Sequence, residues 1–249
     1  MAFLYAWLAG LAFTASLAYF TYFYAIVLGQ TTGPAQCGVD IFKSIVWNIV
    51  LFGCFSMHHS VMARASVKRW ITNWLPLILE RSTYVLISSF LFFAVCFWWR
   101  HLPTEFYTAG GIGRWLLYGL QLGGLALLVS SVSMLDVLDL AGIRNVMQKV
   151  TRFPTSNLET QIQPELLPEP QLIIAGPYRI VRHPLYLGWM FIVFGSPLMT
   201  TSRFLFACVS TAYLLLAIPW EERSMLNTFG THYQKYVQKV RWRLIPGIF

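Results

Sequence analysis

The chain has 249 residues, of which 57% are hydrophobic and 11% are charged, and its mean hydropathy is +0.58. An ordinary soluble domain carries about 25% charged residues, so the composition argues strongly against a soluble globular protein. The net charge of +8 does not predict a nucleic-acid partner, because no basic stripe with base-stacking aromatic residues is visible. Basic residues in the loops of a membrane protein explain this charge better.

Long stretches without Asp, Glu, Lys or Arg dominate the chain, and most approach or exceed the about 20 residues that a helix needs to cross a bilayer. We therefore predict an all-α integral membrane protein with five to six transmembrane helices. The last two would form a helical hairpin that need not cross fully, because Gly195-Ser196-Pro197 interrupts them. The six stretches are Met1 to Gly38, Ser44 to Ala63, Ser82 to Trp99, Trp115 to Leu135, His183 to Ser202, and Phe204 to Trp220.

The basic residues indicate the orientation of these helices. Most of the 18 Lys and Arg residues lie in the second connection, the fourth connection and the C-terminal tail. Cytoplasmic loops carry an excess of Lys and Arg, so we predict that both termini, residues 142–175 and a C-terminal helix are cytoplasmic. The first stretch has no basic n-region, so we interpret it as a span and not as a signal peptide.

Ionisable residues gather at one end of the predicted helices. His59 lies near the end of the second span, Arg81 opens the third, and Asp136 and Asp139 end the fourth. The two aspartates are three residues apart and so share one helix face. Charged groups at membrane depth are costly and usually line a cavity or pair with each other, although residues at helix ends can also simply lie at headgroup level.

The most informative stretch runs from Gly176 to Gly188 and reads GPYRIVRHPLYLG. Pro184 suits the first turn of a helix, whose free N–H groups favour an anion such as a carboxylate. Gly188 leaves room for a ligand or for another helix. Further along, Glu221 and Glu222 could accept hydrogen bonds from ribose hydroxyls or from an ammonium group.

This stretch and the paired glutamates resemble the isoprenylcysteine carboxyl methyltransferase family and the related phospholipid methyltransferases. The resemblance implies one membrane domain, residues 1–249. Within it, residues 176–249 would form a membrane-embedded S-adenosylmethionine site, and residues 1–141 would form the substrate side. Membrane sterol reductases, which use NADPH, are similar here too. Carried over by position, the cofactor-binding residues are Tyr178, Arg179, His183, Tyr186, Leu187, Gly188, Glu221 and Glu222.

The first two thirds of the chain narrow the resemblance. Residues 59–64, 80–86 and 135–144 are similar to bacterial methanethiol S-methyltransferases, a branch that forms dimethyl sulfide. One departure lies beside the aspartates, where Val137, Leu138 and Ala141 replace expected aromatic or His residues. Methylation of prenylcysteine or of phospholipids, and a denitrification-associated group, remain alternatives.

Methyl transfer to a thiol requires a thiolate, and a free thiol is mostly protonated at neutral pH because its pKa is about 8.5. His59 could act as the base, and Arg81 or Arg144 could stabilise the thiolate. Asp136 or Asp139 could orient the histidine, but each of these residues could also have only a structural role. The expected partners are a small lipophilic thiol and membrane lipid. No obligate protein partner is evident, and the four scattered cysteines predict no metal site.

Overall fold

The computed structural model of the protein describes residues 2–31, 40–102, 104–135 and 172–249. Asp136, Asp139 and Arg144, together with most of the predicted loop 142–175, lie outside these ranges. The long helices are α1 (Ala2–Tyr22, continued by a π-helical turn at Phe23–Val27), α2 (Ile41–Met62), α4 (Leu77–Phe97), α5 (Gly111–Ser133) and α7 (Thr201–Phe229). The short elements are α3 (Ala65–Ile71), a 3₁₀ turn (Gly176–Arg179), α6 (Pro184–Phe194), α8 (Thr231–Lys239), β1 (Glu105–Thr108) and β2 (Leu198–Thr200).

Five of the described helices, α1, α2, α4, α5 and α7, are long and apolar enough to cross a membrane. This number confirms the lower end of the predicted range. The sixth apolar stretch is not a membrane-length helix, because α6 has 11 residues and is only about 16 Å long at a rise of 1.5 Å per residue. The chain leaves helical geometry after Phe194 and forms a turn and β2 before α7 begins.

Two short strands correct the all-α prediction. β1 and β2 pair in antiparallel orientation, with Glu105 opposite Thr200 and Thr108 opposite Leu198. The backbone N–H of Thr201 also donates to the carbonyl of Thr104 over 2.8 Å. Backbone groups near a membrane need internal partners, and this pairing supplies them where the chain turns between helices. The absence of charged residues in a stretch of sequence does not predict such short paired strands.

Aromatic residues fill the centre of the helical bundle. The ring of Phe206 on α7 lies edge-to-face against Phe23, Phe52 and Trp99, with centroid distances of 5.5 to 5.9 Å. These three partners come from the π-helical turn, α2 and the segment that follows α4, and all four rings are buried. Because aromatic pairs in this geometry add to the stabilisation from burial, this cluster joins the elements around α7.

Two buried polar residues connect helix ends to loops. Asn48 on α2 donates to the carbonyl of Arg100 and accepts from its backbone N–H, both over 2.8 Å. The buried guanidinium group of Arg203 donates to Ser196 and to the carbonyls of Leu198, Tyr24 and Ala25. Its charge is compensated by carbonyl dipoles, and the four bonds join the start of α7 to the π-helical turn and to β2.

Glycine permits a very close crossing of α5 and α6. A Cβ atom on Gly124 would lie 2.7 Å from the carbonyl oxygen of Gly188, and one on Gly188 would lie 2.7 Å from that of Gly124. Small residues at such crossings allow the backbones of membrane helices to approach each other. A Cβ atom on the neighbouring Gly123 would meet no other atom within 4 Å among the described residues, so only one of the two adjacent glycines is required by packing.

We therefore expect Gly124→Ala to destabilise the protein by about 1–3 kcal/mol, the usual cost of overpacking. Gly123→Ala is the matched control, because it makes the same change on the same helix without a clash. Thermal unfolding in detergent measures both variants. Equal melting temperatures for the two variants would contradict the close crossing.

Candidate active site

A cavity lies where α6 begins and α7 ends, and the segment before α6 and helix α8 complete it. Its volume is about 490 Å³. Its polar lining residues include Tyr178, His183, Tyr186 and Glu221, and its apolar lining residues include Leu135, Leu172, Met225 and Phe229. A concave, mainly apolar site with a few convergent polar groups is typical of ligand binding.

The local backbone positions these polar groups. Gly176 has a φ angle of +54°, a left-handed conformation that favours glycine, and it starts the 3₁₀ turn that carries Tyr178. Pro184 occupies the first position of α6, with His183 as its N-cap residue. The backbone N–H groups of Arg182 and His183 donate to the carbonyls of Trp242 and Arg243, so the C-terminal tail fixes the entry into α6.

Glu222 belongs to a buried ion-pair network beside the cavity. Its Oε1 accepts from Nε of Arg182 over 2.7 Å, and its Oε2 accepts from Nε of Arg243 over 3.1 Å. Nη1 of Arg182 also donates to the carbonyls of Val240 and Arg241. The carboxylate of Glu222 is therefore occupied by two guanidinium groups, and its first function in this structure is to connect α7 to the tail.

Glu221 is in a different environment. Its carboxylate accepts a hydrogen bond from the hydroxyl of Tyr186, and its Oε2 lies 3.6 Å from Nδ1 of His183. The side chain remains 45% exposed, against 14% for Glu222. No Lys or Arg among the described residues forms an ion pair with Glu221, so this carboxylate is available to a cationic ligand.

His183 lies between the two glutamates. Its Nε2 is 3.5 Å from Oε1 of Glu222 but forms no hydrogen bond within the described part of the chain, although it is buried. The imidazole stacks on Tyr186, with ring centroids 5.4 Å apart. A ligand in the cavity could supply this nitrogen with a hydrogen bond, and so could a small movement of the ring towards Glu222.

Tyrosine side chains form the side of the cavity nearest α8. The hydroxyl of Tyr236 donates to the carbonyl of Tyr178 over 2.7 Å. Burial, and secondarily the Glu221 carboxylate, raises the pKa of Tyr178 above its ordinary value, and burial raises the pKa of Tyr233 to about 12. Both phenols therefore stay protonated at neutral pH and can donate hydrogen bonds.

Four of the predicted cofactor residues do not line this cavity. One is Glu222, which lies in the ion-pair network beside it. The side chain of Arg179 is exposed. Leu187 and Gly188 are buried, Leu187 in an apolar cluster with Val181 and Ile218 and Gly188 at the crossing with α5. The structure thus supports helix packing, the second of the two alternatives that the sequence left open for Gly188.

A second polar cluster lies deeper in the bundle, around His59 on α2. The hydroxyl of Tyr84 lies 2.9 Å from Nδ1 of His59, and Ser60 donates to the hydroxyl of Tyr213 over 3.3 Å. Tyr213 and Glu221 both lie on α7, eight residues apart, which is a rise of about 12 Å along the helix. Helix α7 therefore connects the two polar clusters.

Of the predicted catalytic residues, Arg81 is the other one that the structure describes. Arg81 lies on α4, three residues before Tyr84, and so on the same face of that helix. Tyr84, Tyr213 and Arg243 were not predicted. Tyr84 lies within the stretch 80–86 that carried the resemblance, so its spacing from Arg81 was an available signal. For Arg243, the only signal in the sequence was its positive charge.

Comparison with known proteins places the chain in a family. A family model described as phospholipid methyltransferase matches residues 114–232. Methanethiol S-methyltransferase 2 of Bradyrhizobium diazoefficiens is 36% identical over 99% of this chain and 90% of its own length. The chain belongs to the methanethiol S-methyltransferase family.

Other members of the methanethiol S-methyltransferase family agree with this assignment. The Mycobacterium tuberculosis protein is 34% identical over 92% of this chain and 90% of its own length. The Crocosphaera subtropica protein is 32% identical over 84% of this chain and 77% of its own length. No solved structure matches the chain. The protein is thus a multi-pass membrane methyltransferase, and its reaction requires a methyl donor.

Proposed function

We propose that this protein transfers the methyl group of S-adenosylmethionine to the sulfur of a small thiol, converting methanethiol to dimethyl sulfide. The observation that carries this proposal is the cavity beside the available carboxylate of Glu221, which helix α7 connects to the His59 cluster through Tyr213. Relatives that share about a third of their residues with this chain over nearly its whole length are named for the same reaction.

The residues of the cavity fit S-adenosylmethionine. A volume of about 490 Å³ is within the range of ordinary small-molecule sites, about 300–1,000 Å³. Glu221 complements a positively charged ligand, and the buried Nε2 of His183 has no hydrogen-bond partner among the described residues. Tyr178, His183, Tyr186 and Glu221 would hold the molecule directly. S-adenosylmethionine supplies an electrophilic methyl group on a positively charged sulfur.

The other predicted residues have indirect or undescribed roles in this proposal. Glu222 would act by keeping Arg182 and the tail in place. Leu187 and Gly188 would hold α6 against α5, and Arg179 would contribute positive charge from the surface. The proposed roles of Asp136 and Asp139 in orienting the base, and of Arg144 in stabilising the thiolate, concern residues outside the described ranges.

We assign activation of the thiol to His59. Nδ1 of His59 lies 2.9 Å from the hydroxyl of Tyr84. Nε2 lies 3.2 Å from the same hydroxyl, so Tyr84 contacts both ring nitrogens. In the tautomer with Nδ1–H donating to Tyr84, Nε2 is the acceptor for the thiol proton. Arg81, on the same face of α4 as Tyr84, supplies positive charge near the thiolate. The surrounding aromatic rings exclude water, which favours a step in which a thiolate and a sulfonium neutralise each other.

The aromatic interior supports a small methyl acceptor. The ring of Phe55 lies 5.6 Å from His59, 5.2 Å from Phe92 and 5.8 Å from Phe52. Phe52 packs in turn on Phe206, so the bundle is filled directly below the proposed base. A prenyl chain attached to a cysteine would need this volume, whereas methanethiol does not. This packing favours a small thiol over prenylcysteine.

We expect Phe55→Ala to shift the preference towards longer thiols. Relative to methanethiol, kcat/KM for propanethiol should rise by about tenfold or more, since each methylene group in an apolar pocket is worth at least about tenfold. Competition between the two thiols in one reaction measures this ratio. Phe90→Ala removes an exposed phenyl ring from α4 and serves as the matched control. An unchanged ratio in Phe55→Ala would contradict the proposed position of the thiol.

The location of the site is also part of this proposal. The positive-inside rule favours a site that faces the cytoplasm of a bacterial inner membrane, where S-adenosylmethionine is available. A direct test of the function supplies purified protein with radiolabelled S-adenosylmethionine and, separately, methanethiol, farnesylcysteine or phosphatidylethanolamine. The proposal predicts label transfer to methanethiol. Transfer only to farnesylcysteine or to the lipid would contradict it.

A further inference from the structure

Two arginine side chains share one tryptophan ring at the surface of the protein. The guanidinium carbon of Arg64 lies 4.8 Å from the ring centroid of Trp220, and that of Arg223 lies 5.8 Å from it. Arg64 follows α2 whereas Trp220 and Arg223 belong to α7, so the contact joins two helices. Among the described residues, no acidic side chain forms an ion pair with either arginine. We call Arg64, Trp220 and Arg223 the Arg–Trp–Arg cluster.

Helix lengths place this cluster at a boundary of the membrane. α7 begins at Thr201, and a hydrocarbon core of about 30 Å takes up about 20 helical residues, which ends near Trp220. α2 has 22 residues and ends at Met62, two residues before Arg64. The estimated membrane ends of α7 and α2 lie at the same level, because the two helices contact each other and Arg64 contacts Trp220.

The surroundings of the cluster fit a lipid headgroup region. The indole ring of Trp220 is 58% exposed, and Trp70 and Trp74, which follow α2, are more exposed still. Tryptophan is enriched where headgroups meet the hydrocarbon core. Lys68 pairs with Glu80 over 3.9 Å, whereas the two arginines of the cluster keep their charge without an acidic partner among the described residues.

We propose that the Arg–Trp–Arg cluster binds the phosphate of an anionic phospholipid such as phosphatidylglycerol. A guanidinium group binds phosphate oxygens through two parallel N–H donors. Both guanidinium groups lie within 6 Å of the centroid of one exposed indole ring, so both place positive charge beside the headgroup of a lipid that rests on this ring. The indole ring contacts the glycerol and upper acyl region of the same lipid.

This lipid site adjoins the active site along the chain. Trp220 directly precedes Glu221, and Arg64 lies five residues after His59. A lipid bound by both arginines connects the ends of α2 and α7, which carry the proposed base and the proposed cofactor carboxylate. The lipid site stands independently of the proposed reaction, because its geometry rests on surface contacts alone.

Native mass spectrometry of the purified protein, titrated with phosphatidylglycerol or phosphatidylcholine, tests the proposal. The unmodified protein should retain phosphatidylglycerol in preference to phosphatidylcholine. The double variant Arg64→Gln/Arg223→Gln should bind phosphatidylglycerol about tenfold more weakly or worse, the effect of losing a charge-assisted contact. The double variant Lys235→Gln/Lys239→Gln removes the same charge from the exposed face of α8 and should bind normally.

Two outcomes would overturn the proposal. The first is equal retention of phosphatidylglycerol by the arginine variant and the unmodified protein. The second is an equal loss in both double variants, which would indicate attraction by net charge alone. Melting temperature and S-adenosylmethionine binding are measured on the same samples, and a third variant, Trp220→Phe, retains a ring if the double arginine variant unfolds. This third variant should weaken lipid retention, because a phenyl ring is a weaker cation–π partner.

Discussion

Glu221→Gln is expected to weaken the binding of S-adenosylmethionine by about 10- to 100-fold, since a hydrogen bond to a charged group contributes about 1.5–3 kcal/mol. The substitution keeps the shape of the side chain and its bond with Tyr186, but it removes the negative charge from the cavity. Because the donor molecule is cationic, the loss should appear in the dissociation constant. Isothermal titration of the purified protein measures it directly.

Glu105→Gln is the matched control for this experiment. Glu105 is exposed on β1, away from the cavity, so the same chemical change there should leave the dissociation constant unchanged. Both variants should melt within a few degrees of the unmodified protein, because Glu221 forms no ion pair with Lys or Arg among the described residues. An unaltered affinity in Glu221→Gln would remove this residue from the proposed cofactor site.

Arg182→Met should destabilise the protein by about 3–5 kcal/mol, the usual effect of breaking a buried ion pair by removing one partner. The Arg182 side chain is 6% exposed and donates to Glu222 and to the carbonyls of Val240 and Arg241. Methionine is similar in length, so packing is largely retained while three hydrogen bonds are lost. The carboxylate of Glu222 keeps Arg243 and the nearby His183, and the carbonyls of Val240 and Arg241 lose a donor.

The stability of this variant can be measured by unfolding in a detergent titration. Arg241→Met is the control: the Arg241 side chain is exposed and forms no ion pair among the described residues, so its loss should cost no more than about 0.5 kcal/mol. Arg182→Lys should fall between the two, because an ammonium group lacks the forked geometry that reaches several acceptors. Equal stability of Arg182→Met and Arg241→Met would show that the network does not hold the tail.

The membrane helices were predictable because the bilayer imposes a length on apolar helices. The charge-free stretches led to α1, α2, α4, α5 and α7, all of which form at membrane length. The prediction of a sixth helix from His183 to Ser202 was only partly correct, because the absence of charged residues does not indicate where a helix ends. His183 is an N-cap residue and helical geometry stops at Phe194, so about half of that stretch is helical.

The sequence motif of the site was predictable, but the arrangement of its side chains in space was not. Adjacent residues on a helix point about 100° apart, so Glu221 and Glu222 could not share one environment, yet the sequence does not state which faces the cavity. That assignment depends on Arg182 and Arg243, which are far apart along the chain and meet only through the fold. Tyr84 and Tyr213 approach His59 and its neighbour Ser60 in the same way, through contacts between different helices.

The most direct test of thiol methylation uses S-adenosylmethionine with a deuterated methyl group, together with unlabelled methanethiol and purified protein. Headspace gas chromatography with mass detection should reveal dimethyl sulfide that carries one deuterated methyl group, and Glu221→Gln should strongly reduce its rate of formation. Demonstrated binding of S-adenosylmethionine without any labelled dimethyl sulfide would contradict methylation of methanethiol by this protein.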